Sequence, residues 1–270
     1  MQAVLPTLLQ QGTRCTAVGH NRLDLVEHEA KTLATAHRRV FYLCDGVYRM
    51  HGDALDVGEL LGVLDRVPQL FAYVDDAHGV GWTGARGAGI VLGVHGLHER
   101  MAVTLGLAKG FAAGGAALVF PDRELAERVN TCGGPMIFSG PLQTAQLGAA
   151  IASAKITLSP VLDELQTRVR ARIQRFEEVA AAERIELASS TPTPIRFVRM
   201  SDNERTLGLA ERLLAEGYFV NIALYPAVSR TGAGLRLMLG ASQELADIEG
   251  LLRCLGGLLH DSSLVTPSSS

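Results

Sequence analysis

An α/β fold with a mainly parallel sheet, followed by a small C-terminal α+β domain, is predicted by two features of the chain. Short apolar runs alternate with longer stretches of helical spacing from about residue 20 onward. Past about residue 140 that alternation gives way to a long helical region, then to short strands set between helices. The first strand is "RVFYLCD" (39–45), and "HGDALDVGELLGVLDRV" (51–67) shows helical spacing in Leu55, Leu60, Leu61 and Leu64. "LFAYVDD" (70–76), "MAVTL" (101–105) and "AALVF" (116–120) follow as strands, and "DRELAERVN" (122–130) as a helix capped by Asp122. Links of this length predict a parallel sheet buried on both faces.

"LQTAQLGAAIASAKI" and "VLDELQTRVRARIQRFEEVAAAE" form the long helical region, interrupted at Pro160. After "SSTPTP" come the strand "IRFVRM", the helix "ERTLGLAERLLAEG", the strands "YFVNIAL" and "GLRLML", and a last helix, "ELADIEGLLRCLGGLL". The expected division is a large domain over 1–150, a small domain over 151–262 and a disordered tail over 263–270.

Composition narrows the function classes. The net charge of -3, with scattered Lys and Arg, gives no footprint for nucleic acid and little for a membrane surface. The four cysteines form no CxxC pair, so no metal is expected and a reduced, cytoplasmic protein is the default. The apolar run "GLAKGFAAGGAALVF" carries Lys109 and is cut by glycines, which argues against a membrane span. A plain nucleotide-binding domain is disfavoured, because neither a GxGxxG opening a helix nor a P-loop is present.

The residues able to carry chemistry sit at strand ends. In open parallel sheets, ligands bind beyond the carboxyl ends of the strands, where Asp45 and Asp75 stand. Asp75 and Asp76 equally suit capping of the turn that follows, and His78 alone suits a core or surface role. Lys109 lies among glycine, alanine and phenylalanine, a setting that predicts partial burial and an amine shifted toward its neutral, nucleophilic form. A snorkelling lysine is the bland alternative. Arg236, inside "RTGAGLRLML", matches a carboxylate by its fork geometry or forms an ordinary salt bridge.

Together "VDDAHGVGWTGARGAG", "VTLGLAKGFAAGGAALVF", "MIFSGPLQ" and "GAGLRLMLGAS" resemble the α-oxoamine synthases, within the fold-type-I pyridoxal phosphate transferases. "GHNRLDLVEHEA" and "DGVYRMHGD" extend the resemblance, which runs from about residue 18 to 255. It implies pyridoxal 5'-phosphate as cofactor, with Asp75 paired to the pyridine nitrogen and His78 reaching the phenolic oxygen. Lys109 would form the internal Schiff base and remove the substrate α-proton, and Arg236 would hold the amino acid carboxylate. Thr104 and Ser139 are the expected phosphate contacts.

The implied reaction condenses an amino acid with an acyl-CoA and releases carbon dioxide, in a homodimer that builds each site from two subunits. An aminotransferase, or a catalytically poor dimerising module, are the alternatives. Departures from the family pattern are specific. Gly106 stands where a threonine usually precedes the lysine, with Thr104 two residues further back. Arg49 replaces a serine, Gly140 a threonine, and Gln143 and Thr144 two prolines. The chain also begins well inside the family pattern, so an incomplete large domain is expected, without the usual phosphate-binding turn and ring-stacking histidine.

Overall fold

The structure, a computed structural model, describes residues 4–260. The tail expected over 263–270 lies outside them. Two compact units form, Met1–Val47 with Ala54–Leu162, and Tyr48–Asp53 with Asp163–Ser270.

The first unit holds helices α1 (Val4–Gln10), α2 (Leu23–Ala34) and α3 (Val57–Arg66), and strands β1 (Val40–Asp45), β2 (Leu70–Asp75), β3 (Met101–Gly106) and β4 (Ala116–Val119). Helices α4 (Arg123–Cys132), α5 (Gly134–Ile137) and α6 (Thr144–Thr157) complete it. The sheet order is β1-β2-β3-β4, with β1, β2 and β3 mutually parallel. β4 is antiparallel to β3, because Leu107–Gly115 is too short for the crossover that a parallel partner needs.

Alternation along the strands separates the two faces. Cys44, Ala72, Val74, Met101 and Val103 are buried against α2 and α3, which contribute Leu23, Val26 and Ala30, and Val57, Leu60, Val63 and Leu64. Asp56 caps α3 by accepting from the Glu59 N–H at 2.8 Å, so the helix expected from residue 51 starts at Val57. The opposite face carries Phe41, Leu43, Phe71 and Tyr73 and is only partly covered, Phe41 being 59% exposed. Burial on both faces, as expected from the apolar strands, is therefore corrected. β4 is likewise largely exposed along its length.

In the second unit, α7 (Val161–Ala182) leads to β5 (Ile195–Arg199), α8 (Asn203–Ala215), β6 (Asn221–Ala223), β7 (Gly234–Met238) and α9 (Leu245–His260). The antiparallel order is β5-β7-β6. Phe197, Leu209, Leu213, Leu235, Leu252 and Leu255 form its buried centre. Arg196 is fully buried and ion-paired with Glu177 of α7, while its Nη1 donates to the Thr191 carbonyl at 2.7 Å.

The turn Tyr48–Asp53 belongs to this unit. Thr193 Oγ1 donates to the Gly52 carbonyl at 2.6 Å, and the His51 ring stands edge-on to Phe197 at 5.1 Å. Gly52 has φ +75°, and a Cβ there would lie 2.1 Å from the Ile195 carbonyl oxygen. Only glycine fits.

Candidate active site

The carboxyl ends of the parallel strands align polar groups in one row. Register pairs Asp45 with Asp75 and Asp75 with Thr104. The backbone continues this stitching past the strands, the Gly46 N–H donating to the Asp75 carbonyl at 2.7 Å and the Asp76 N–H to the Thr104 carbonyl at 2.9 Å. Asp75 is half-buried, and its Oδ1 accepts from the Ala77 N–H at 3.0 Å. Thr104 is half-buried and shares a hydrogen bond with the Tyr73 hydroxyl.

His78 follows in the turn after β2, where its carbonyl accepts from Trp82 Nε1 at 2.6 Å. Lys109 occupies the β3–β4 turn and is exposed. Partial burial of this amine, expected from its apolar neighbours, is corrected: glycine and alanine are too small to cover a long stem. The turn itself is ordered by hydrogen bonds, from the Leu107 N–H to the Gly115 carbonyl, the Ala112 N–H to the Lys109 carbonyl and the Ala113 N–H to the Leu107 carbonyl, each 3.0 Å.

Ser139 lies exposed in the bend after α5. The far limb of the Lys109 turn meets the start of α6, where the Gly114 N–H donates to Gln146 Oε1 at 2.5 Å. Arg236 stands on β7 of the second unit, half-buried between Leu235 and Leu237. Its Nε donates to the Arg49 carbonyl at 2.7 Å. Burial lowers its pKa from the ordinary value, and the charge of Arg49 adds to that shift.

Asp76 is the residue that sequence reasoning undervalued. It is 0% exposed, and Oδ2 accepts from the Val91 N–H at 3.1 Å, while Oδ1 has no hydrogen-bond partner among the described residues. Its carboxyl is pushed up from 3.8 to about 6, chiefly because burial penalises the charge. The N–H groups of Val91 and Ile90 pull it back, and Asp75 adds a small upward push. The signal was present in "DAHGVGWTGARGAG", whose recurring glycines leave room around an acid.

The half-buried Asp75 carboxylate is the kind of acceptor that a protonated heteroaromatic nitrogen needs, and Ala77 and Gly106 are small residues beside it. A Cβ at Gly106 would come within 2.7 Å of Ala77 Cβ. The family model for aminotransferase class I and II matches residues 13–255. The chain belongs to this family.

Aminotransferase class I and II relatives include the 8-amino-7-oxononanoate synthase of Serratia proteamaculans, 32% identical over 97% of this chain and 71% of that protein. The enzyme of the same name from Serratia marcescens is 32% identical over 94% of this chain and 70% of its own length. Among solved structures, the 8-amino-7-oxononanoate synthase of Francisella tularensis superposes with a TM-score of 0.80 at 20% identity, over 95% of this chain and 72% of that one. The serine palmitoyltransferase of Sphingomonas wittichii gives 0.81 at 22%, over 92% and 61%. An SPT structure with PLP gives 0.78 at 24%, over 88% of this chain and 59% of that one.

These names are those of α-oxoamine synthases, so the resemblance read from the motifs holds. The fold is that of the fold-type-I pyridoxal phosphate transferases, and the chain spans about 59% of the SPT chain with PLP.

Proposed function

We propose that this chain carries the site of a pyridoxal phosphate-dependent transferase that condenses an amino acid with an acyl-CoA and releases carbon dioxide. The observation that carries this reading is the row of Asp75 and Thr104 at the carboxyl edge of β2 and β3, with His78 and Lys109 on the two turns leaving that edge. Asp75 would hold a proton at the pyridine nitrogen, and His78 would donate to the phenolic oxygen. Thr104 and Ser139 would bind the phosphate by their hydroxyls. Bound there, the cofactor supplies an electron sink for charge developing at the substrate α-carbon.

The remaining steps fall to the chain itself. Lys109 would take the α-proton with its amine, and Arg236 would hold the amino acid carboxylate through its Nη groups, Nε being committed to Arg49. The relatives' names support the acyl transfer. An aminotransferase reading is supported by the family model and by the same residues, which serve either reaction.

A homodimer is part of the proposal. Helices α4, α5 and α6 bury none of their residues, and Phe138 (89%), Leu158 (71%) and Ile151 (51%) are exposed. A second copy would cover them.

Incubating the protein and cofactor with a panel of amino acids and acyl-CoAs tests the function. Release of free thiol dependent on both substrates is the expected result. A keto acid formed without thiol release would make the chain an aminotransferase, and neither product would contradict both readings.

A further inference from the structure

The loop after β2 is built around one carboxylate. The Asp76 carbonyl accepts from the Gly79 N–H at 2.9 Å and from the Val80 N–H at 3.1 Å, and its side chain reaches forward to the Val91 N–H. A Cβ added at Gly46, Gly79 or Gly89 would lie 2.5, 2.1 or 2.1 Å from an Asp76 carboxylate oxygen. Backbone therefore closes on the acid from three places. Between these anchors the loop pairs with itself, through the Val80–Ala88 bridge, the Gly81 N–H to Gly87 carbonyl bond at 2.8 Å and the Gly89 N–H to Thr83 carbonyl bond at 3.1 Å.

The outer side of this closed loop meets the lysine turn. A Cβ at Gly110 would fall 2.3 Å from the Val80 carbonyl oxygen, and one at Gly81 would fall 3.0 Å from Gly110 Cα. The two backbones are thus in contact with no side chain between them, immediately beside Lys109. This contact supports the near side of the lysine turn, whose far side is held by α6, where Ser153 Oγ donates to the Phe111 carbonyl at 2.6 Å and Gln146 Oε1 accepts from the Gly114 N–H.

We propose that Asp76 is the positioning residue for Lys109: it anchors the 79–91 loop, and that loop sets Val80 and Gly81 as the wall on which Gly110 rests. Asp76 touches neither substrate nor cofactor in this account. The inference depends on the proposed function only for what Lys109 does, because the anchoring itself is a property of the chain alone.

Amide hydrogen exchange without cofactor, followed by the pH profile of the absorbance band formed with added pyridoxal phosphate, tests it in Asp76→Ala and Gly110→Ala. In Asp76→Ala the amides of Leu107, Ala112 and Ala113 should exchange about tenfold faster, the scale of one lost charged hydrogen bond, and in Gly110→Ala the same amides should also exchange faster than in the wild type. Those of β2 and β3 should keep their wild-type rates, and the band should titrate at a different pH. Gly110→Ala leaves the carboxylate in place, so it reports on the contact even if Asp76→Ala fails to fold. Wild-type exchange of the lysine turn in Gly110→Ala overturns the proposal, as does an unshifted pH profile. Equal loosening of the turn and of the strands in Asp76→Ala also overturns it. If the wild-type chain forms no band, the functional reading fails and the exchange rates still decide the anchoring.

Discussion

At the scale of single residues, Asp76 and Arg236 each carry charge where charge is costly, and each makes a separate prediction. The carboxyl of Asp76 sits at about 6, so between about pH 4 and 6 the native state keeps a proton that the unfolded chain has already released. Its contribution to stability therefore grows as pH falls through 6 and is complete near the ordinary aspartate value. Urea midpoints at pH 5 and pH 7.5 should show that gain in the wild type, and Asp76→Asn should lack it. Arg236 would lose its carboxylate-binding fork in Arg236→Ala. If it anchors the amino acid, that change should cost roughly 1.5–3 kcal/mol of substrate binding, seen mainly as a raised KM. An unchanged KM would assign Arg236 to holding the Tyr48–Asp53 turn instead.

At the scale of elements, legibility in the sequence followed the strength of local signals. α3 was readable from its apolar stripe, although its start, set by the Asp56 cap, lies later than the stripe implied. Helix α4 was readable from its cap, Asp122 accepting from the Leu125 N–H at 2.7 Å. By contrast α2 went unassigned: Arg22 at its N-cap makes no side-chain cap bond, so no start signal marks it. The direction of β4 and the exposure of Lys109 depend on what lies above the sheet, which a one-dimensional pattern does not contain. Asp75 could be picked out because strand ends are where the sheet places ligands, whereas His78 and Thr104 could be picked out only through the family resemblance. Asp76 was hidden because capping explains it equally well until its burial is known. The core of the first unit should respond as a packed interior does, and Leu60→Ala should cost about 2–5 kcal/mol in denaturant unfolding.

At the scale of the whole molecule, one unit carries the carboxylate row and the lysine turn, and the other carries Arg236. No single helix among the described residues is long and apolar enough to cross a membrane. The exposed face of α4, α5 and α6 belongs to the dimer proposal, and Ile151→Glu should shift sedimentation from dimer to monomer if that face is the interface. A wild-type dimer indifferent to this change would place the contact elsewhere.

Borohydride reduction of the protein with added cofactor, followed by peptide mapping, shows whether this chain directs pyridoxal phosphate to one amine. The expected result is a visible absorbance band whose reduction fixes the pyridoxyl label on Lys109, with loss of both in Lys109→Ala. No band, or label spread over Lys31, Lys109 and Lys155 alike, would contradict it.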